Sequence, residues 1–305
     1  MNNISVLVPC YNEAKNLINL LPKINEVMIN NKLVNTFEIL VINDGSNDDT
    51  ENVVNKIKSI IKNLSLINLK QNMGKAFALD IGIRKSKGNI IASIDSDSQY
   101  EPEDFLKMIA KLDEGNDFVN GRRITRKDSY IIRFFSFLYN FILRKIFKCD
   151  VFDFFSGIKV YKKKIYDLIN LNSLPRFIIF FSAKYNFKII EIEIKHNKRI
   201  NGKSAYNFFD RVILSFQDMF VIFTCIILRQ DRIYAIKQIS MIFFFISSII
   251  SLFFSSKLEI YNNSIWLILI VLFMIGVVFF KIIENFFEKK TKLINADEFI
   301  KSINP

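Results

Sequence analysis

The first 125 residues alternate between short apolar, β-rich runs and stretches of helical character. The runs read ISVLVP, FEILVIND, LSLINLK and NIIASID, and the stretches between them cover residues 12–31, 47–63 and 74–87. Strands that alternate with helices in this way form a mostly parallel sheet covered by helices, so the pattern predicts an α/β fold. Ser46, followed three residues later by Asp49, also predicts a capping box at the second helix.

Polar residues follow three of these four runs directly. They read YNE, NDGS and DSDSQ. In open α/β sheets, ligands bind outside the carboxyl ends of the strands. The three polar segments are therefore expected to meet at one edge of the sheet and to form the functional site.

The last third of the chain contains two apolar segments without a charged side chain, within residues 239–256 and 265–280. Each is near the short limit for a membrane-spanning helix, and a polar turn separates them, so they predict a transmembrane hairpin. Seven cations flank the pair, whereas the turn between the segments holds only Lys257. By the positive-inside rule, both chain ends and the α/β domain face the cytoplasm.

Two further apolar stretches are interrupted by charges. Residues 205–228 contain two acids and an arginine, which favours an interfacial helix over a third span. Residues 133–147 carry too many cations for a span, and either a surface-lying helix or a buried helix of the globular domain explains them.

Composition limits the partners. The chain is 50% hydrophobic with a formal net charge of +12, which indicates an anionic membrane surface or phosphate-bearing ligands, with a solvated basic face as the alternative. No nucleic-acid-binding module is recognisable, so nucleic acid is not expected as a partner. Cys10, Cys149 and Cys225 are far apart, which argues against a disulfide framework or a zinc site.

The segment DSDSQ suggests a metal site. Side chains of an extended segment alternate between its two faces, so Asp95, Asp97 and Gln99 can project together. Two carboxylates and an amide oxygen suit Mg²⁺ or Mn²⁺ and leave coordination positions for substrate phosphates. An acidic pair on a surface loop is the plainer interpretation.

Four segments, VPCYNEAKNL, VINDGSNDDT, NMGKAFALDIG and DSDSQ, occur in the order and spacing of glycosyltransferase family 2. Within that family, the chain resembles the polyprenyl-phosphate glycosyltransferases of the dolichyl-phosphate mannose synthase and bacterial undecaprenyl-phosphate glucosyltransferase type. The resemblance covers roughly residues 1–205, and the closing two-span hairpin recurs in that group. It implies a GT-A fold (Rossmann-like, mostly parallel sheet), a nucleotide-sugar donor, a polyprenyl-phosphate acceptor and Mg²⁺ or Mn²⁺.

The resemblance also implies a donor site. The residues of this site match the family's nucleotide- and diphosphate-binding segments. The site residues are Pro9, Tyr11, Glu13, Ile42, Asp44, Lys75, Asp95, Ser96, Asp97 and Lys203. Asp95, Asp97 and Gln99 correspond to the metal ligands. A strand end at Pro9 and a simple turn at Asp44 are the structural alternatives.

The resemblance also implies roles for later positions. Arg123, with Arg122 as the alternative, corresponds to a phosphate-contacting arginine. Arg133 and Ser136 resemble an acceptor-phosphate pair, and an exposed cation on an interfacial helix is the alternative for Arg133. Asp153 corresponds to the acidic residue of a motif that ends at Lys159. Arg199 begins the Arg, Gly, Ser signature before the membrane region. The mannose synthases usually carry a lysine where Ala205 stands, which leaves the donor open.

These assignments predict a metal-dependent, inverting transfer of a hexose from a UDP- or GDP-linked sugar to a polyprenyl phosphate. The expected catalytic residues are Asp95, Asp97, Arg123, Arg133, Ser136, Asp153 and Arg199. A phosphate monoester is already anionic near pH 7, so it needs no base; Asp153 would be the base if the acceptor were a sugar hydroxyl. The alternatives are a transferase acting on a hydroxyl of a lipid-linked saccharide or polysaccharide, and an inactive sugar-nucleotide-binding or scaffolding subunit.

The expected organisation is an integral protein of the cytoplasmic (inner) membrane whose catalytic domain faces the cytoplasm. Membrane lipid is an expected partner, and self-association stays open. The segments are a GT-A domain at 1–204, interfacial helices at 205–235, two transmembrane helices at 236–284 and a cytoplasmic tail at 285–305.

Overall fold

The computed structural model describes residues 2–124, 136–137, 140–141, 143–145, 149–169, 177–197 and 199. The chain divides into two compact units, Met1–Ala205 and Tyr206–Pro305, and all described residues belong to the first unit. The transmembrane hairpin expected at 236–284 and the interfacial segment expected at 205–228 lie outside the described residues. Among the residues that the structure describes, no helix is both long and apolar enough to cross a membrane.

Seven strands form one mixed sheet in the order β3-β2-β1-β4-β6-β5-β7. Along the chain they are β1 (Asn2–Cys10), β2 (Val34–Asn43), β3 (Leu64–Asn68), β4 (Ile90–Ser93), β5 (Phe118–Arg123), β6 (Lys159–Lys162) and β7 (Ile189–Ile194). All pairings are parallel except those of β6, which runs antiparallel to both β4 and β5. The predicted mostly parallel sheet is thus confirmed, with β6 as the single reversed strand of the sheet described.

Six helices accompany these strands within the described part of the chain. They are α1 (Ala14–Ile29), α2 (Thr50–Lys58), α3 (Lys75–Lys85), α4 (Asp104–Asp113), α5 (Lys164–Ile169) and α6 (Ile178–Lys184). A helix was expected at 133–147, and the described positions between 136 and 145 do have helical backbone. Leu143 is fully buried, whereas Phe137 is exposed. That stretch therefore has one face in the globular domain.

The centre of the sheet, around β1 and β4, is buried on both faces. One face of β1 packs with α1, α2 and α4 in a core that includes Val6, Leu21 and Phe105. The other face meets α3, where a side chain added at Gly82 would lie 2.8 Å from Ile42. Strands covered on both sides read as continuous apolar runs, which explains why β1, β4 and the second half of β2 were visible in the sequence.

The capping box predicted at Ser46 and Asp49 is wrong. Helix α2 begins at Thr50, and its N-cap Asp49 makes no side-chain capping bond. The Ser46 hydroxyl instead accepts a hydrogen bond from the backbone N–H of Asn12 at 2.9 Å. The serine therefore ties the loop after β2 to the loop after β1, because a tertiary contact competes with the local cap.

Candidate active site

The strand directions bring the polar segments to one edge of the sheet. The carboxyl ends of β1, β2, β4, β5 and β7 share this edge with the amino end of the reversed strand β6. The residues after these strands, together with Gly157 and Lys159 at the start of β6, therefore surround one region. This arrangement follows the rule that ligands of open α/β sheets bind beyond the carboxyl ends of the strands.

The first two strands supply the predicted nucleotide segment. Pro9 pairs with Ile42 across β1 and β2, and Tyr11 is partly exposed just beyond β1. The buried carboxylate of Asp44 accepts hydrogen bonds from the backbone N–H groups of Met73 at 2.7 Å and Gly74 at 2.8 Å. Asp44 thus fixes the start of α3, which carries Lys75, in addition to its predicted donor-binding role.

Arg199 joins two carboxylates from distant parts of the chain. Its Nη2 lies 3.3 Å from Oε1 of Glu13 and 3.2 Å from Oδ2 of Asp97. Burial raises the pKa of Glu13, and burial together with the negative charge of Asp95 raises the pKa of Asp97. The Arg199 guanidinium opposes both shifts, so one cation partly neutralises two buried acids.

The acidic motif itself forms a tight turn after β4. Asp95 makes an ion pair with Lys75, and Ser96 is buried beside it. Oδ1 of Asp97 accepts the backbone N–H of Gln99 at 3.2 Å, whereas the Gln99 amide group donates to the Asn197 carbonyl at 3.1 Å. The structure therefore brings Asp95 and Asp97 together at the sheet edge, while the Nε2 group of Gln99 is engaged with the segment after β7.

Arg123 and Asp153 form a buried, bidentate ion pair. Nε of Arg123 lies 2.6 Å from Oδ2 of Asp153, Nη2 lies 2.7 Å from Oδ1, and the side chains are 13% and 7% exposed. The backbone N–H of Arg123 donates to the same carboxylate at 3.2 Å. Glu191 supports the pair by accepting the backbone N–H groups of Phe152 and Asp153 at 2.7 and 3.0 Å.

Lys159 lies at the first residue of β6, between strands β4 and β5. Its ammonium group donates to the Ser156 carbonyl. Burial, with a further contribution from the positive charge of Lys75, lowers the pKa of Lys159 to about 7, while the negative charges of Asp95 and Asp153 oppose this shift. The lysine is therefore electrostatically linked to both the Asp95 side and the Asp153 side of the site.

The remaining predicted residues divide into two groups. Ser136 lies in helical backbone, where its carbonyl oxygen accepts a hydrogen bond from Asn140 at 2.9 Å. Oδ1 of Asn140 in turn accepts the Phe154 N–H at 3.4 Å, which links this helical stretch to the Asp153 segment. Arg133 and Lys203 lie outside the described residues.

Sequence reasoning gave no role to several side chains that shape this edge, namely Tyr100, Asn120, Asn140 and Glu191, and it named Lys159 only as the basic end of the Asp153 motif. Asn120 is fully buried and donates to the Asp153 carbonyl at 2.7 Å and to Oε1 of Glu191 at 2.9 Å. A polar residue inside an apolar strand signals a buried hydrogen-bond network, and Asn120 in FVNG and Glu191 in IIEIEI both carry that signal.

A family model for glycosyl transferase family 2 matches residues 5–169, more than half of the chain. The chain belongs to glycosyl transferase family 2. Curated relatives include the undecaprenyl-phosphate 4-deoxy-4-formamido-L-arabinose transferases of Proteus mirabilis and Klebsiella pneumoniae. Each is 27% identical over 238 residues, which cover 77% of this chain and 71% of the relative. The resemblance to the polyprenyl-phosphate group of the family, and the expectation of a glycosyltransferase, are thereby confirmed.

Solved structures confirm the fold of this family member. One similar structure is glucosyl-3-phosphoglycerate synthase from Mycobacterium tuberculosis, solved with Mn²⁺, uridine diphosphate and phosphoglyceric acid. Its superposition on this chain gives a TM-score of 0.55 at 20% sequence identity and covers 73% of this chain and 78% of the synthase. A mannosyltransferase from Pyrobaculum calidifontis, solved with GDP-Man and Mn²⁺, has a TM-score of 0.55 at 18% identity, covering 76% and 65%. The described sheet and helices are therefore a GT-A fold.

Proposed function

We propose that this family 2 member transfers a sugar from a nucleotide sugar to a polyprenyl phosphate at the cytoplasmic face of a membrane. The relatives whose names specify undecaprenyl phosphate as the acceptor support the acceptor class. The neighbours solved with uridine diphosphate and GDP-Man support a nucleotide-sugar donor. The apolar segments at 239–256 and 265–280 support membrane anchoring of the domain.

The single observation that carries the acceptor proposal is the Arg123–Asp153 pair. Both carboxylate oxygens of Asp153 accept hydrogen bonds from Arg123, which stabilises the carboxylate as an anion and weakens it as a base. A sugar hydroxyl generally needs a positioned base, whereas a phosphate monoester is already a nucleophilic anion. A site in which the candidate base, Asp153, is paired in this way suits a phosphate acceptor.

A divalent cation fits the acidic turn. Among the described residues, no group of three or more His, Cys, Asp and Glu side chains is arranged as a metal cluster. Mg²⁺ is commonly held by one or two carboxylates together with substrate phosphates, and Asp95 and Asp97 provide such a pair. Burial and, to a smaller extent, the negative charge of Asp95 raise the pKa of Asp97, and a cation would relieve the repulsion between the two carboxylates. When bound, the ion would supply positive charge to the departing diphosphate.

The protein's own cations would bind the phosphates on either side of the reacting carbon. Lys75 and Arg199 adjoin Asp95 and Asp97, on the side assigned to the donor diphosphate. Arg123 lies on the side assigned to the acceptor, where Asp153 holds its guanidinium in a fixed orientation. In-line attack by the acceptor oxygen between these two sides inverts the anomeric carbon. Preorganised charges of this kind lower the barrier because they need no rearrangement during the reaction.

The test is transfer by membranes that carry the full chain. They are incubated with Mn²⁺ or Mg²⁺, with undecaprenyl or dolichyl phosphate, and with a panel of nucleotide-linked hexoses and 4-deoxy-4-formamido-L-arabinose. We expect an acid-labile, lipid-linked sugar that falls at least about 100-fold in Asp97→Asn, the scale seen when a transition-state charge contact is removed. Asp113→Asn, at an exposed acid of α4, is the matched control and should keep full activity. Product formed only on sugar hydroxyls, or donor binding without transfer to any acceptor, would overturn the proposal.

A further inference from the structure

Tyr100 is buried directly behind the acidic turn. Its side chain is 4% exposed, and its hydroxyl oxygen accepts the backbone N–H of Gly157 at 2.8 Å. The Tyr100 ring stands edge-on to the ring of His196, with 5.1 Å between their centroids. The tyrosine thus connects the loop after β4 with the segment that leads into β6.

Gly157 fits against this tyrosine and Asp95 because it has no side chain. A Cβ atom at this position would lie 2.5 Å from Cγ of Asp95 and 2.7 Å from Cε2 of Tyr100, distances that no real Cβ contact shows. Asp95, Tyr100 and Gly157 are therefore in direct packing contact. A small displacement of Gly157 would change the space in which the Asp95 carboxylate lies.

The segment that contains Gly157 also carries the other half of the site. Asp153, four residues earlier, pairs with Arg123, and Lys159, two residues later, donates to the carbonyl of Ser156. Burial is the main reason that the pKa of the Tyr100 phenol is raised, to about 12. Through its hydrogen bond to Gly157, Tyr100 contacts the segment that carries Asp153 and Lys159.

We propose that Tyr100 is a positioning residue that holds Gly157 against the Asp95 carboxylate. It thereby fixes the spacing between the Asp95–Asp97 turn, assigned to the donor, and the Arg123–Asp153 pair, assigned to the acceptor. This role rests on the proposed transfer reaction, in which the two phosphates must be held in line. Effective positioning of two reactants depends on sub-ångström geometry, so a single buried contact between the halves can affect the rate.

The test compares Tyr100→Phe with Tyr161→Phe in the full chain in detergent micelles or nanodiscs. Both tyrosines are buried, but Tyr161 stacks on Phe118, at the end of β6 remote from Lys159. Tyr100→Phe keeps the ring and leaves the Gly157 N–H without its acceptor. We expect faster hydrogen exchange in the peptide that contains residue 157 and weaker Mn²⁺ binding, measured by electron paramagnetic resonance. The KM for both donor and acceptor should rise about tenfold, because the loss of one buried hydrogen bond has an effect of that size. The control should change none of these quantities.

Gly157→Ala provides a second perturbation of the same contact. If Tyr100 acts through Gly157, the Tyr100→Phe/Gly157→Ala double variant should be no worse than Gly157→Ala alone, because both changes disrupt one interaction. Additive losses in KM would show that the tyrosine acts elsewhere. Should Gly157→Ala fail to fold, the comparison of Tyr100→Phe with Tyr161→Phe still decides the question.

The outcomes separate this proposal from the proposed function. Unchanged hydrogen exchange at residue 157 in Tyr100→Phe would overturn the positioning role. Faster exchange and a lower melting temperature with unchanged KM values and unchanged Mn²⁺ binding would also overturn it, because the tyrosine would then be purely structural. If the wild-type protein makes no lipid-linked sugar, the transfer proposal fails, and exchange and Mn²⁺ binding still test the contact.

Discussion

Replacing Asp153 by asparagine tests the charge balance of the Arg123 pair. The change keeps the shape of the side chain but removes its negative charge. Arg123 is 13% exposed and makes two short hydrogen bonds to this carboxylate, so the variant removes the negative charge that Asp153 places beside a buried guanidinium. Breaking one partner of a buried ion pair typically costs about 3 to 5 kcal/mol.

We expect a value near the lower limit, because the amide oxygen of asparagine can still accept one hydrogen bond from Arg123. A loss of about 3 kcal/mol corresponds to a fall of about 6 to 12 °C in the melting temperature of a domain of this size. The measurement is thermal unfolding of the full chain in detergent, followed by near-ultraviolet circular dichroism at pH 7. Asp150→Asn is the control, because Asp150 is almost fully exposed and lies 3.6 Å from Arg144, so its pair contributes little.

A second pair of variants isolates the interaction between the two side chains. Arg123→Met alone should also destabilise the protein, since it leaves the Asp153 carboxylate buried. The double variant Arg123→Met/Asp153→Leu should recover most of the loss, because apolar residues can replace a buried ion pair at little cost. A melting temperature of Asp153→Asn within about 2 °C of the wild type would refute the reasoning, since the charge would then be solvated or compensated by another group.

Three further outcomes are expected. Between pH 7 and about 9 the unfolded chain binds more protons at Lys159 than the folded chain, because the folded pKa of Lys159 is about 7. Lys159 therefore makes stability rise with pH over this range, and melting temperatures measured at each pH should show that Lys159→Met loses this contribution. Arg199→Met removes the cation that lowers the pKa of both Glu13 and Asp97, so the acid limb of the pH dependence of kcat/KM moves to higher pH. Gly45→Ala forces a side chain into a backbone with φ of +70° and against the Gln71 backbone, which should cost about 1 to 3 kcal/mol in a denaturant titration.

Much of the fold was predictable because the first four strands include long buried runs, in β1, in β4 and in the second half of β2. Their apolar runs are long and are bounded by polar residues, so β1, β2, β3 and β4 appear at nearly the expected positions. The second half of the sheet was harder to predict. Strand β6 has only four residues, KVYK, and its antiparallel insertion between β4 and β5 has no local signal. Non-local pairing decides such a placement.

The candidate site was also predictable only in part. Asp95 and Asp97 were identifiable because their spacing and their position after a buried strand are local features. The partners of these residues come from far along the chain, as with Gly157 against Asp95 and Arg199 against Asp97. The hydrogen bond between Tyr100 and Gly157 likewise depends on the packing of two loops. No periodicity encodes such contacts, so they become visible only in three dimensions.

The bridge from Arg199 to Glu13 spans 186 positions of the chain. A ribosome that adds about 5 to 20 residues per second produces Glu13 roughly 10 to 40 s before it produces Arg199. Strands β1, β2 and β4 are therefore complete before the arginine shared by Glu13 and Asp97 is synthesised. A nascent domain that folds at this stage holds both acids without that arginine, so the order of translation exposes the acidic edge until Arg199 is added.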